Sequence, residues 1–206
     1  PWRALHLDFR GWPPSRSYLL EIVEQLTCIK LNVLILEYDR FFAYNSRGGL
    51  ADAEALLPNF LAELDRYAQE RGITLVPLLH CLGQAGFFLR LEEYKHLREE
   101  PNCYQQVCPC HPATPELYAA LAGDLLAAHA APLFHIGGDG GRFLGLCPTC
   151  QARAKKLGGR SALYLEYVAK LAQSLMGKDR HILFWDEMVR QMTDEQIRWL
   201  PARMTP

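Results

Sequence analysis

An α/β fold built on parallel strands is the class this chain predicts, and three observations predict it. Short apolar runs of strand length alternate with amphipathic helical patterns about five times along the chain. Such alternation is the mark of right-handed βαβ units. Acidic, amide and aromatic residues gather just after the apolar runs, as in Glu37-Tyr38-Asp39, His80 to Gln84, Asp139 and Asp186-Glu187. A parallel sheet puts its site there, at the C-terminal ends of its strands. Gly72 stands where one helical pattern stops, and Pro115 where another starts, which suits a C′ glycine and an N1 proline.

The elements follow in order. Ala4 to Phe9 is a first strand. Ser15 or Ser17 then caps a helix whose apolar residues Leu19, Leu20, Ile22, Val23 and Leu26 keep a 3.6 period. Val33 to Tyr38 is an unbroken apolar strand, which predicts burial on both faces. Asp52 to Arg71 reads as a helix and Ile73 to Leu79 as a third strand. Pro115 to His129 is an Ala/Leu-rich helix, and Leu133 to Ile136 a fourth strand. Ser161 to Met176 is a helix and His181 to Trp185 a fifth strand, and Thr193 or Asp194 opens a last short helix. A closed (β/α)8 barrel needs eight such units in about 250 residues. Five units in 206 residues predict a single domain over 1–206 that is a partial or truncated barrel of this type. A second copy or a further chain segment would complete it. An intact five-strand flavodoxin-like domain is the alternative.

Composition narrows the partners. Half of the chain is apolar and its formal charge is −1, so no basic field exists to hold nucleic acid. No apolar stretch is long enough to span a bilayer, and Pro1-Trp2-Arg3 leads straight into a strand rather than a signal peptide. Seven cysteines are an odd count. Cys28 and Cys81, in apolar surroundings, read as small core residues, and a reducing cytoplasm is the expected compartment. Four of the remaining cysteines form a constellation, Cys108 and Cys110 in one loop and Cys147 and Cys150 in another. Both loops are expected on one face of the sheet, with the sulfurs within reach of each other. Structural zinc, a disulfide and free thiols are the three readings.

The stretch Leu133-Phe134-His135-Ile136-Gly137-Gly138-Asp139-Gly140 carries the most chemistry: an apolar run, two glycines, then one carboxylate. It resembles the His-Ile-Gly-Gly-Asp-Glu signature of glycoside hydrolase family 20, the β-N-acetylhexosaminidases. Arg3 to Arg10, Asn32 to Tyr38, Val76 to Gln84, Glu93 to Glu99 and Phe184 to Met188 are similar, in order and spacing, to segments of the hexosaminidase D-like branch. The departures cluster. Gln84 stands at a family His, Gly86 at a usual Glu, and Gly140, followed by Gly141, at the catalytic Glu.

The resemblance implies a barrel glycosidase acting on terminal N-acetylhexosamine of a glycan or glycoside, with no cofactor needed for catalysis. Such enzymes use the substrate's own acetamido oxygen as nucleophile. Asp139 would orient the acetamido group. Arg3, Asp8, Glu37, Gln84, Trp185 and Asp186 would bind substrate, Trp185 as an apolar wall for a sugar ring. Gly140 leaves the general-acid position vacant, so the resemblance implies impaired hydrolysis, with small glycine neighbours leaving room for a restored Glu. A non-catalytic sugar-binding or scaffold domain, or a fragment of a larger hydrolase, is the alternative. The bland readings are an Asp8–Arg10 ion pair, a core Trp185, a helix-capping Asp139 and a surface Arg3. His80, at a usual Gln, is a new titratable group near the pocket.

Overall fold

The structure, a computed structural model, describes residues 1–177, 179–190 and 192–206. They form two compact units: residues 1–79 with 121–135, and residues 80–120 with 136–206.

The first unit holds four parallel strands in chain order: β1 (Ala4–Asp8), β2 (Val33–Glu37), β3 (Thr74–Leu78) and β4 (Leu133–His135). Each residue of β1 pairs in step with β2, from Ala4 opposite Val33 to Asp8 opposite Glu37, and β2 repeats the register against β3. Every residue of β2 is buried, as its unbroken hydrophobicity predicts, and the fully covered Leu34 and Leu36 each contribute about 1.5–3 kcal/mol by leaving water. Helix α1 (Arg16–Cys28) is capped by Ser15, whose hydroxyl accepts the Tyr18 N–H, and buries Leu19, Ile22, Val23 and Leu26. Cys28 falls on its outer face and is exposed, so only Cys81 of the two is a core thiol.

Helix α2 (Pro58–Gln69) starts six residues later than the sequence pattern suggests. Residues 52–57 are used otherwise. Leu56 N–H donates to Phe41 O at 2.8 Å, and Ala43 N–H returns to Leu56 O at 3.2 Å. The backbone there is already satisfied in an extended bridge, and Pro58 at the first turn supplies the helix start.

The second unit begins after β3 with α3 (Gly86–Leu89), and after a long loop it holds residues 113–120 of α4 (Ala113–Ala127), whose residues 121–127 belong to the first unit. Beyond β4, the Ile136 N–H donates to Leu183 O at 2.8 Å and the Trp185 N–H to Gly137 O at 2.7 Å. Strand β5 (His181–Leu183) pairs in parallel with β6 (Met204–Thr205). Helices α5 (Pro148–Leu157), α6 (Arg160–Met176) and α7 (Asp194–Ile197) complete the unit. The long helix α6 buries Leu163, Tyr164, Val168 and Leu171. Three elements, the four-residue α3, α5 and β6, were not anticipated. Helix α5 buries only Cys150 and Ala154, too few to draw an apolar stripe, and β6 is two residues long. Among the described residues no helix is long and apolar enough to cross a membrane.

Candidate active site

Asp8 and Glu37 end their strands, as expected, and the first unit gives them partners. Arg10 places Nη2 2.6 Å from Asp8 Oδ2 and Nε 2.9 Å from Glu37 Oε1, while His6 Nε2 lies 3.1 Å from Glu37 Oε2. Glu37 is 2 % exposed, so its carboxylate is buried against the Arg10 guanidinium, the kind of pairing that buried charge needs. Tyr38 turns into the core, where its hydroxyl meets His129 Nε2 at 2.7 Å. Arg3 is exposed and donates through Nε to Lys30 O at 2.6 Å.

In the second unit the backbone builds a cavity of about 730 Å³ whose lining includes Gln84, Gln105, Asp139, Gly140, Glu187 and Met188. That volume suits a small ligand. Five of the sequence-derived candidates are in the unit: Gln84, Asp139 and Gly140 in the cavity wall, and Trp185 and Asp186 on the chain leading to Glu187. Asp186 turns to Arg190, 2.8 Å away, and that guanidinium draws its pKa below the usual value.

Two loops cross closely to position Asp139. Gly83 N–H donates to Asp139 O at 3.0 Å. A Cβ on Gly83 would lie 2.6 Å from that oxygen, so no larger residue fits without moving backbone. Gln84, next to it, has φ 57, an uncommon left-handed conformation for a side-chain-bearing residue. The Asp139 carboxylate meets His80, Oδ1 to Nδ1 at 3.0 Å, with the histidine almost covered and the aspartate partly open. His80, the new titratable group of the sequence, is thus the immediate partner of the central carboxylate.

Gly140 follows at φ 67, and a Cβ there would stand 3.3 Å from Gly83 Cα. The neighbouring glycines therefore do not leave open room for a larger residue: their backbones approach because side chains are missing. Gly141 differs: its Cβ position falls 2.8 Å from Met188 Cε, the far end of a flexible side chain that can shift. The Gly140 N–H itself is taken, donating to Glu187 Oε2 at 2.8 Å. Glu187 lies 47 positions from Gly140; with Asp186 it is one of the two carboxylates that the sequence places near the vacant acid position, and of the two it is Glu187 that lines the cavity.

A few residues along, the two cysteine loops meet. Cys108 Sγ is 3.6 Å from Cys147 Sγ and 3.5 Å from Cys150 Sγ. An antiparallel bridge between Arg98 and Val107 sets Glu99 beside Cys108. Donor atoms of Glu99, Cys108, Cys147 and Cys150 all lie within 4.8 Å of one another. Cys110, expected with the other three, is not in that set although it neighbours Cys150, and Glu99 is. Hydrogen bonding with Cys150 draws the Cys108 thiol down, and the same bond pushes Cys150 up. Burial raises Cys147 to about 11.

The model of the glycosyl hydrolase family 20 catalytic domain matches residues 49–202. Bovine (Bos taurus) hexosaminidase D is 27% identical over 200 residues, which are 95% of this chain and 58% of that protein. This chain therefore spans little more than half the length of that relative. A β-N-acetylhexosaminidase from Bacteroides fragilis superposes with TM-score 0.79 at 20% identity, over 98% of this chain and 44% of the other. An exo-β-N-acetylglucosaminidase from Vibrio harveyi, solved in complex with N-acetylglucosamine, superposes with TM-score 0.73 at 17% identity, over 98% and 37%. These structures share the α/β fold of parallel strands taken in chain order. With the family's model covering most of the chain, cavity and cysteine loops included, this chain belongs to glycosyl hydrolase family 20 through its catalytic domain.

Proposed function

We propose that the cavity of the second unit takes a terminal N-acetylhexosamine and that its hydrolytic chemistry is weakened at one step. The observation that carries the reading is the pair Asp139-Gly140: a partly open carboxylate held by His80, followed by a residue with no side chain. In substrate-assisted hydrolysis the acetamido oxygen attacks the anomeric carbon, and the bond to the leaving oxygen breaks. Asp139 would accept the acetamido N–H and balance the oxazolinium charge. The leaving oxygen needs a proton, and Gly140 supplies none. A missing general acid costs about 10²–10⁴-fold.

Gln84, Trp185 and Asp186 are proposed to complete the sugar contacts. Asp186 would have to exchange Arg190 for substrate. Corresponding roles for Arg3, Asp8 and Glu37 require the same exchange, since each holds a protein partner. The ligand named in the Vibrio harveyi structure supports N-acetylglucosamine as the probe.

A second reading has its own observation. Glu187 lines the cavity, and its carboxylate is hydrogen-bonded to the Gly140 backbone. A proton delivered from Glu187 would reach the region that residue 140 fails to serve. Comparing activated nitrophenyl with alkyl N-acetylglucosaminides separates the two. With no acid, alkyl glycosides stay uncleaved while nitrophenyl glycosides, whose leaving groups need little protonation, turn over slowly. With Glu187 as acid, both are cleaved and Glu187→Gln abolishes the alkyl reaction selectively.

A further inference from the structure

We propose that Cys108, Cys147, Cys150 and Glu99 form a tetrahedral zinc site that ties the second unit's two cysteine loops together. The proposal stands independently of what the cavity binds.

The argument starts from spacing. Four ligands about a zinc ion with Zn–S near ~2.3 Å put their sulfurs about 3.8 Å apart. The observed separations from Cys108, 3.6 Å and 3.5 Å, are close to that edge length. A disulfide needs about 2.05 Å and would engage one partner only. Cys108 instead stands nearly equidistant from two, an arrangement that suits a shared centre.

Glu99 supplies the second observation. It is 1 % exposed. Its Oε1 accepts the Leu146 and Cys147 N–H groups at 2.7 and 3.0 Å, which fixes the start of α5. Its Oε2 is buried and meets no N–H or O–H donor, only the thiols of Cys108 and Cys150. A buried carboxylate oxygen left so is costly unless it is paired or coordinates a metal, and this one lies in a cluster with three sulfurs. Carboxylate oxygen is an ordinary zinc donor at about 2.0–2.2 Å.

Cys147 is the N-cap of the ten-residue helix α5, and its Sγ accepts the Cys150 N–H at 3.3 Å. Cys108 is held from the other side, its N–H on Leu97 O at 2.7 Å and its carbonyl accepting the Thr114 hydroxyl at 2.8 Å. The ligands thus come from three segments that backbone hydrogen bonds already orient. Binding would release the thiol protons and staple loops whose neighbours, Gln105 and Phe143, line the cavity.

The test is metal content of the full-length gene product, purified without chelator or affinity metal. We expect one zinc per chain in the unmodified protein and in the Cys28→Ser and Cys110→Ser variants, and its loss in Cys108→Ser and Cys150→Ser. Because those last variants could misfold, cobalt exchange into the unmodified protein provides a second readout. A tetrahedral thiolate site gives a thiolate-to-cobalt charge-transfer band and intense visible bands, both abolished by added zinc. Absence of zinc together with absence of those bands overturns the proposal. So does a native disulfide from Cys108 to Cys147 or Cys150 in peptide mapping, or zinc that survives the loss of Cys108 and Cys150.

Discussion

Glu187 Oε2 accepts the backbone N–H of Gly140 at 2.8 Å, so the carboxylate of one loop is fastened to the residue of another that has no side chain to offer. The contact places two carboxylates, Asp139 and Glu187, around one cavity. It also occupies the backbone of the position at which the family resemblance implies a general acid.

Restoring that acid has a structural cost. Gly140→Glu puts a side chain on a residue at φ 67, with its Cβ 3.3 Å from Gly83 Cα. The left-handed backbone alone costs roughly 1–2 kcal/mol, so the variant should melt at a lower temperature than the parent. If the introduced carboxyl reaches the leaving oxygen, hydrolysis of alkyl N-acetylglucosaminides should rise by about 10²-fold. Thermal melts and initial rates on the same preparation check both parts. Unchanged stability with no gain in rate would show that position 140 does not face the reaction.

The crossing of the two loops gives a sharper packing test. Gly83→Ala forces a Cβ to within 2.6 Å of the Asp139 carbonyl oxygen, and backbone cannot rotate away as a side chain can. Overpacking of this kind costs about 1–3 kcal/mol and should displace Asp139, weakening sugar binding as well. Gly11→Ala meets nothing within 4 Å and should stay within about 0.5 kcal/mol of the parent. Denaturant melts of the pair decide it.

His129 links the first unit's core to pH. Its Nδ1 contacts Leu125 O at 2.7 Å, which leaves Nε2 to accept the Tyr38 hydroxyl. Burial pushes its pKa below the ordinary 6.5, although nearby Asp65 pulls the other way. The folded value is the lower one, so the stabilisation is fully present above pH 6.5 and is lost as pH falls through that window toward the folded value. His129→Leu should cost about 1–3 kcal/mol at pH 8 by stranding the Tyr38 hydroxyl. The gap between parent and variant should then narrow as pH falls from 6.5 toward 5. Urea denaturation across that range measures it, and a gap that widens would contradict the assignment.

Much of this architecture is legible in the chain because local chemistry and burial agree. The unbroken apolar run of β2 is buried throughout, and Ser15 caps α1 as its position suggests. Asp139 stands out because glycines surround it. What stays hidden depends on partners distant in sequence. Residues 52–57 look helical until Phe41 and Ala43 take their backbone into a bridge. Helix α5 has no apolar stripe to announce it. Glu99 looks like any charged residue of a polar loop until Cys147, 48 positions away, donates to it.

The central claim is that Asp139 holds an N-acetylhexosamine where proton delivery is lacking. Calorimetric titration of N-acetylglucosamine into the full-length gene product and into its Asp139→Ala variant tests it most directly, with alkyl glycoside hydrolysis followed on the same samples. The account predicts saturable binding by the parent, weakened about 10-fold or more in the variant as a charge-assisted hydrogen bond is lost, and negligible hydrolysis by either. Equal binding by both proteins, or brisk cleavage of the alkyl glycoside by the parent, would contradict it.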